Sequence, residues 1–422
     1  MRMRRMGTVS EEILSAHVGK EVTAGDIIIV PVDFIMGQDG TTSLTIQAFR
    51  NMGSKTIHDP DKFAFVIDHN SPSPLESVSN IHAMIREFAE EHDAILYDIG
   101  EGVCHQLMPE KGHVLPGGVV IGADSHTCTY GALNSFATGV GSTDLAAALI
   151  SGKTWMKVPG TIKLVYNGSL SAGVFSKDVA LHMVGELTAN GATYKALEIQ
   201  GEVIDALSVE TRMTISNMAV ETGAKVGIMR CDDKVKEYLR SRTTAHCRSV
   251  DATEDAKYDK VVEEDLSDLP PQISRPHDVD NVAPIDKVAG TEIDEVFIGT
   301  CTNGRYEDFA IAAKILAGKQ VSRKVRLIVA PASRDIMLRC MEEGILAKMI
   351  QAGAAIVTPG CGPCVGTCGG IPADGEVVLS TANRNFKGRM GNSKAFIYLA
   401  SPATAAYSAI NGVISDPREV LG

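Results

Sequence analysis

Short β-branched runs and amphipathic stretches alternate along most of this chain. The apolar runs stand at 27–32, 63–67, 119–122, 296–299, 325–329 and 355–357, each short enough to be one buried strand. Segments with helical spacing of their apolar positions lie near them, at 79–92, 143–153, 308–316 and 334–347. Strands alternating with helices predict α/β layers with largely parallel sheets, whose strand-end loops carry the chemistry. A stretch at 267–284 holds four prolines and little apolar periodicity, and reads as a linker. A softer boundary falls near Val158-Pro-Gly160. Three α/β domains are therefore expected, at 1–157, 158–270 and 285–422.

Composition narrows the class. With 422 residues, 44% of them hydrophobic and 22% charged, the chain has the make-up of an ordinary soluble protein with well-buried cores. No apolar run approaches the roughly 20 residues that span a bilayer. The start, Met1-Arg-Met-Arg-Arg-Met6, is basic but lacks an apolar segment behind it, so a secretory signal is not expected. A net charge of −12 argues against a general nucleic-acid or membrane-surface binder. Nine cysteines in such a chain suggest a reducing, cytoplasmic setting rather than disulfides.

The candidate chemistry sits after the apolar runs. Cys361-Gly-Pro-Cys364 lies in a glycine-rich run, 359–370, that can close around a metal centre and aim N–H groups at sulfur. A third thiol stands in Gly299-Thr-Cys301-Thr-Asn-Gly-Arg305. Three readings are open at this point. Structural zinc would recruit Cys368 as a fourth ligand, and a closed electron-transfer cluster would use the same four thiols. A cluster held by Cys301, Cys361 and Cys364 alone would keep one iron open for a substrate. The other thiols read as small buried hydrophobes, less firmly for Cys104 and Cys128, which stand beside candidate histidines.

Asp68-His69, Cys104-His105-Gln106 and Asp124-Ser125-His126 each follow an apolar run. A lone Asp-His pair is usually a satisfied loop histidine. Three in equivalent settings point to one shared proton-transfer site. Gln38-Asp39-Gly40 reads by itself as a turn capping a helix. Asn217 and Glu221, four apart, read by default as a surface pair on one helix face. Arg384 and Arg389 can clamp a carboxylate; their plain alternative is a solvated basic loop.

Taken together, these residues resemble the aconitase superfamily, in the form whose large subunit is a separate chain. Gly-Thr-Cys301-Thr-Asn and Cys361-Gly-Pro-Cys364 match the cluster loops. Asp68-His69, Gly-Val-Cys-His105-Gln, Ala-Asp124-Ser-His126-Thr, Asn217 with Glu221, and Asn-Arg384-Asn-Phe with Arg389 follow in the family's order. The resemblance implies three α/β domains packed around a central cluster site, without the swivelling fourth domain. It implies one [4Fe–4S] cluster per subunit, held by Cys301, Cys361 and Cys364, with the fourth iron taking the hydroxyl of a hydroxy di- or tricarboxylic acid. The implied reaction is reversible elimination and re-addition of water. Asp68, His69, His105, Asp124 and His126 would assist departure of the hydroxyl, and Glu221 would contact its oxygen. Asn217 and Asn383 would border the cluster, while Gln38, Ser125, Arg384 and Arg389 would hold the substrate.

The family's base for the carbon-bound proton is a serine of the swivelling domain. This chain ends about 30 residues beyond Arg389, too few for another domain. A small subunit is therefore expected to supply domain and serine, in a heterodimer or heterotetramer, with the isolated chain inactive. Isopropylmalate is the expected substrate, a homocitrate-type acid the alternative. Cys368 departs from the pattern; were it a fourth ligand, electron transfer would be the better reading. An RNA-binding role, known for some relatives that have lost the cluster, is disfavoured by the acidic balance.

Overall fold

A computed structural model describes residues 7–422. The basic start at 1–6, read above as non-secretory, lies outside the described residues. Among the described residues, no helix is long and apolar enough to cross a membrane.

Three sheets organise the chain. The first has five parallel strands, with Phe34–Gln38 flanked by Phe63–Val66 and Val119–Gly122, and Ile95–Tyr97 and Phe136–Gly139 at the edges. The second has four parallel strands, Val226–Ile228, Lys195–Gln200, Gly160–Asn167 and Lys260–Asp265 in that spatial order. The third has seven strands, with Glu295–Gly299 between Arg326–Ala330 and Val377–Ser380 in its parallel centre. Helices cover the sheets, as strand–helix alternation requires of parallel strands buried on both faces.

The pattern of apolar runs located most of these elements, and three expectations are corrected. The helix expected over 334–347 is two, Arg334–Glu342 and Ile345–Ala352. Gly344 between them takes φ +71°, a left-handed turn that ends the first helix as glycine readily does. The run at 27–32 joins no parallel sheet; Ile27–Pro31 pairs antiparallel with Lys153–Lys157. The proline-rich 267–284 is more than a linker, because Gln272–Ser274 and Val282–Pro284 pair antiparallel at one edge of the seven-stranded sheet. Ile273, wholly buried, anchors that edge, and edge strands tolerate the surrounding prolines.

One continuous apolar core crosses all three sheets. It takes Phe34 and Met36 from the first, Ile162 and Leu164 from the second, and Phe297 and Leu399 from the third. Cys301, Cys361 and Cys364 belong to that same core, so the three thiols lie where the sheets converge. The loops that meet them leave the carboxyl ends of Phe63–Val66, Val119–Gly122, Glu295–Gly299 and Val377–Ser380.

Candidate functional site

The cysteine loops are shaped by local backbone before any ligand is considered. Thr300 enters the short helix Thr300–Asn303 at φ 60°, a left-handed conformation that costs a β-branched residue on the order of 1–3 kcal/mol. Gly304 closes the turn; a Cβ there would stand 2.7 Å from the Thr300 backbone and 2.8 Å from the Ala330 carbonyl. Arg305, almost fully buried, then locks the loop. Its guanidinium donates to the Cys301 carbonyl at 2.5 Å, the Thr302 carbonyl at 2.9 Å and Gln106 Oε1 at 3.0 Å. Those acceptors satisfy a charge that burial would otherwise make costly.

The three sulfurs are buried, and those of Cys301 and Cys364 face polar donors. Asn217 Nδ2 reaches Cys301 Sγ at 3.4 Å, and Asn383 Nδ2 reaches it at 3.8 Å. Arg389 donates to Cys364 Sγ at 3.4 Å and to Asn383 Oδ1 at 3.3 Å. Contact with Cys361 and the Arg389 charge hold the Cys364 thiol well below the usual range. Burial and the neighbouring Cys364 push Cys301 up to about 11. Cys361 and Cys364 touch each other, and Cys301 lies close enough for the Cys364 charge to act on it. A soft donor set with N–H groups aimed at sulfur fits an iron–sulfur cluster. Cys368 does not join them: its thiol turns to the Ser71 carbonyl at 3.6 Å.

Beside the sulfurs, Asp124 is the hub of the proton-handling groups. Its Oδ1 lies 2.8 Å from His105 Nε2 and also accepts the His126 backbone N–H at 2.8 Å. Its Oδ2 lies 3.3 Å from His69 Nε2, whose Nδ1 meets Asp68 Oδ1 at 2.7 Å. Against burial, the Asp68 and Asp124 carboxylates hold His69 well above its ordinary pKa. Burial wins at His105, which is lowered despite Asp124. Asp124 itself is held well below the carboxylate range by His105, His126 and His69, again against burial. His69 is thus charged and His105 neutral near neutral pH.

A second chain of contacts runs from His126 toward the arginines. His126 Nε2 meets Glu221 Oε1 at 2.8 Å, Glu221 pairs with Arg384 Nε at 2.8 Å, and Arg384 donates to Ser125 Oγ at 3.0 Å. Asn217 and Glu221 are both buried, so the surface-pair expectation fails. The helix is buried over 212–217, and four of the five residues of the 3-10 turn that follows are buried too, so the pair lies on an element enclosed by the fold rather than on a surface face. The arginines are likewise no solvated loop, since each ends on buried partners. Gln38 uses its side-chain oxygen to cap its own helix at the Gly40 N–H, 2.5 Å away, which is the capping role foreseen for that turn.

Sequence reasoning missed three supporting residues. Asp39 accepts backbone N–H groups of Asp68, His69 and Asn70 at 3.1, 2.7 and 3.0 Å and pairs with His82 at 3.0 Å. It therefore fixes the Asp68-His69 loop, which a capping signal at 38–40 did not reveal. Lys177, fully buried, donates to the Thr381 and Ala382 carbonyls, each at 2.6 Å, and braces the strand end that carries Asn383. Burial pulls its pKa down to about 7. Arg305 closed the quoted cysteine motif, but its neighbours Asn303, Gly304, Glu307 and Asp308 gave no signal that it would be buried.

Comparison with known proteins bears on this geometry. The aconitase family (aconitate hydratase) profile matches residues 11–292 and 286–412. The 3-isopropylmalate dehydratase large subunit of Elusimicrobium minutum is 50% identical over 415 residues, covering 98% of this chain and 99% of that protein. The 3-isopropylmalate dehydratase large subunit 1 of Thermotoga maritima is 51% identical over 417 residues, with 98% and 99% covered. A probable methanogen homoaconitase large subunit from Methanothermobacter thermautotrophicus is 46% identical over 420 residues, with 98% of each chain covered.

Proposed function

The chain belongs to the aconitase family, and on that premise we propose that it is the large subunit of a 3-isopropylmalate dehydratase. The enzyme is a hydro-lyase of leucine biosynthesis that interconverts 2- and 3-isopropylmalate. The carbon–hydroxyl bond breaks, a proton leaves the neighbouring carbon, and water adds back with the two positions exchanged. Supporting this reading is one junction at which three buried thiols, an aspartate-centred group of histidines and a carboxylate-binding arginine meet. Homoaconitase is the second reading, favoured by the 46% identity to the methanogen protein.

Cys301, Cys361 and Cys364 would hold one [4Fe–4S] cluster per chain, with Asn217 and Asn383 bordering it. Bound there, the cluster supplies a Lewis acid that weakens the carbon–oxygen bond without changing oxidation state. His69, kept charged by Asp68 and Asp124, donates the proton that lets the hydroxyl leave as water. His105 and His126 orient Asp124 and share its charge. Glu221 and Ser125 hold Arg384 in place, and Arg384 with Arg389 supplies the positive field that an acidic chain otherwise lacks for a dicarboxylate. Gln38, whose side-chain oxygen caps its own helix, would offer the substrate its amide nitrogen.

The relatives' designation as large subunits supports a small-subunit partner, which we infer brings the swivelling domain and the serine base in a heterodimer or heterotetramer. All nine cysteines are free thiols, in keeping with a cytoplasmic protein. The test is anaerobic reconstitution with iron and sulfide, addition of the small subunit, and comparison of isopropylmalate with homocitrate as substrates. Turnover of isopropylmalate supports the reading; turnover of homocitrate alone replaces it with the second.

A further inference from the structure

A second group of metal-binding side chains lies in the four-stranded sheet, among residues the dehydratase reading does not use. His182 and Glu186 stand four apart on the helix Ser176–Leu187, so they project from one face. Glu264 lies on the edge strand Lys260–Asp265, directly beside Tyr166 of the neighbouring strand, so these two also share a face. His182 Nε2 meets Glu264 Oε2 at 2.6 Å, and ligand atoms of His182, Glu186 and Glu264 all fall within 4.8 Å of one another. Ligands at about 2.0–2.2 Å from a tetrahedral ion stand roughly 3.4 Å apart, a small contraction from this arrangement.

Two buried oxygens at this place have no partner. Glu186 Oε2 is buried without a hydrogen bond among the described residues, and so is the Tyr166 hydroxyl, on a side chain with 0% exposure. The Tyr166 phenol feels both carboxylates: burial, then Glu186 and Glu264, hold its proton far above the usual range. Burial and the adjacent Glu264 likewise raise Glu186, with His182 and Lys260 acting in the opposite direction. Two carboxylates within 4.8 Å of each other, one oxygen of them buried and unpartnered, form an arrangement that a cation relieves.

We propose that His182, Glu186 and Glu264, on the face of the sheet that also carries Tyr166, form a site for a divalent transition-metal ion of the zinc and manganese class. One imidazole with two carboxylates suits such ions better than calcium or magnesium, which prefer all-oxygen shells. The ion clamps the helix Ser176–Leu187 to the sheet edge. The same helix carries Lys177 at its other end, so the clamp steadies the brace on Thr381 and Ala382.

The cluster-loaded, full-length chain is titrated with Mn²⁺, an oxygen-preferring ion poorly suited to thiolates, and free Mn²⁺ is followed by electron paramagnetic resonance. One equivalent is expected to bind, to be displaced by Zn²⁺, and to show hyperfine coupling to a histidine nitrogen. Affinity is expected to fall at least tenfold in Glu186→Gln and in His182→Gln. In both variants the rise in melting temperature caused by Mn²⁺ in the unaltered chain should vanish. Absence of a stoichiometric Mn²⁺ site in the unaltered chain, absence of nitrogen coupling, or undiminished binding by both variants overturns the proposal.

Discussion

At the scale of single residues, the site holds neighbouring groups in opposite protonation states. His69 stays charged because Asp68 and Asp124 both face it, while burial keeps His105 neutral beside the same Asp124. Since the folded pKa of His69 is raised, its proton is lost only as pH climbs through that raised value, and activity should fall on the alkaline side. Asp124→Asn removes one of the two supporting charges, so the alkaline limb of the pH–rate profile should move to lower pH. The maximal rate should drop by about a hundredfold to ten-thousandfold. An alkaline limb that stays in place would remove His69 from the acid role. The thiols differ in the same local way. Cys364→Ser should abolish cluster absorbance after reconstitution. Cys368→Ser should retain it, because that thiol faces Ser71 rather than the other sulfurs.

At the scale of elements, strand ends deliver the chemistry and buried polar anchors hold those ends still. Asp39 shows this best: one carboxylate gathers three successive backbone N–H groups and His82. Against burial, those donors hold it far below the usual carboxylate range. Its stabilisation is present above the unfolded pKa near 3.8 and fades as pH falls toward its folded value. Asp39→Asn should cost roughly 3 kcal/mol in urea unfolding at neutral pH and lower the maximal rate by releasing His69. A variant with unchanged stability would contradict the anchoring role. Much of the element plan was legible beforehand. Runs such as 63–67 and 119–122 are short, β-branched and bounded by turn residues, so period and length sufficed. The break at Gly344 was not legible, because an isolated glycine inside an apolar helical pattern is tolerated at a modest cost. Nor were the strands at 272–274 and 282–284, whose pairing depends on an edge supplied by distant chain.

At the scale of the whole molecule, three sheets share one core, and the thiols sit at their junction. The cysteine and histidine loops could be read from the sequence because their residue types and order are specific to the chemistry. Asp39, Lys177 and Arg305 could not, because each acts on a segment far away in the chain, Lys177 over 204 residues to Thr381. The division of labour with a small subunit predicts that the cluster-loaded chain alone has no dehydratase activity and gains it on adding that subunit; turnover by the chain alone would refute this. Whether three cysteines hold a cluster with one open iron is decided by iron and acid-labile sulfide per reconstituted chain, measured before and after mild oxidation. Four irons and four sulfides are expected at first, then loss of one iron together with the dehydratase activity assayed with the small subunit added, both restored by added Fe²⁺. A chain that takes up zinc without sulfide, or a cluster that keeps all its iron under oxidation until it collapses, would contradict that expectation.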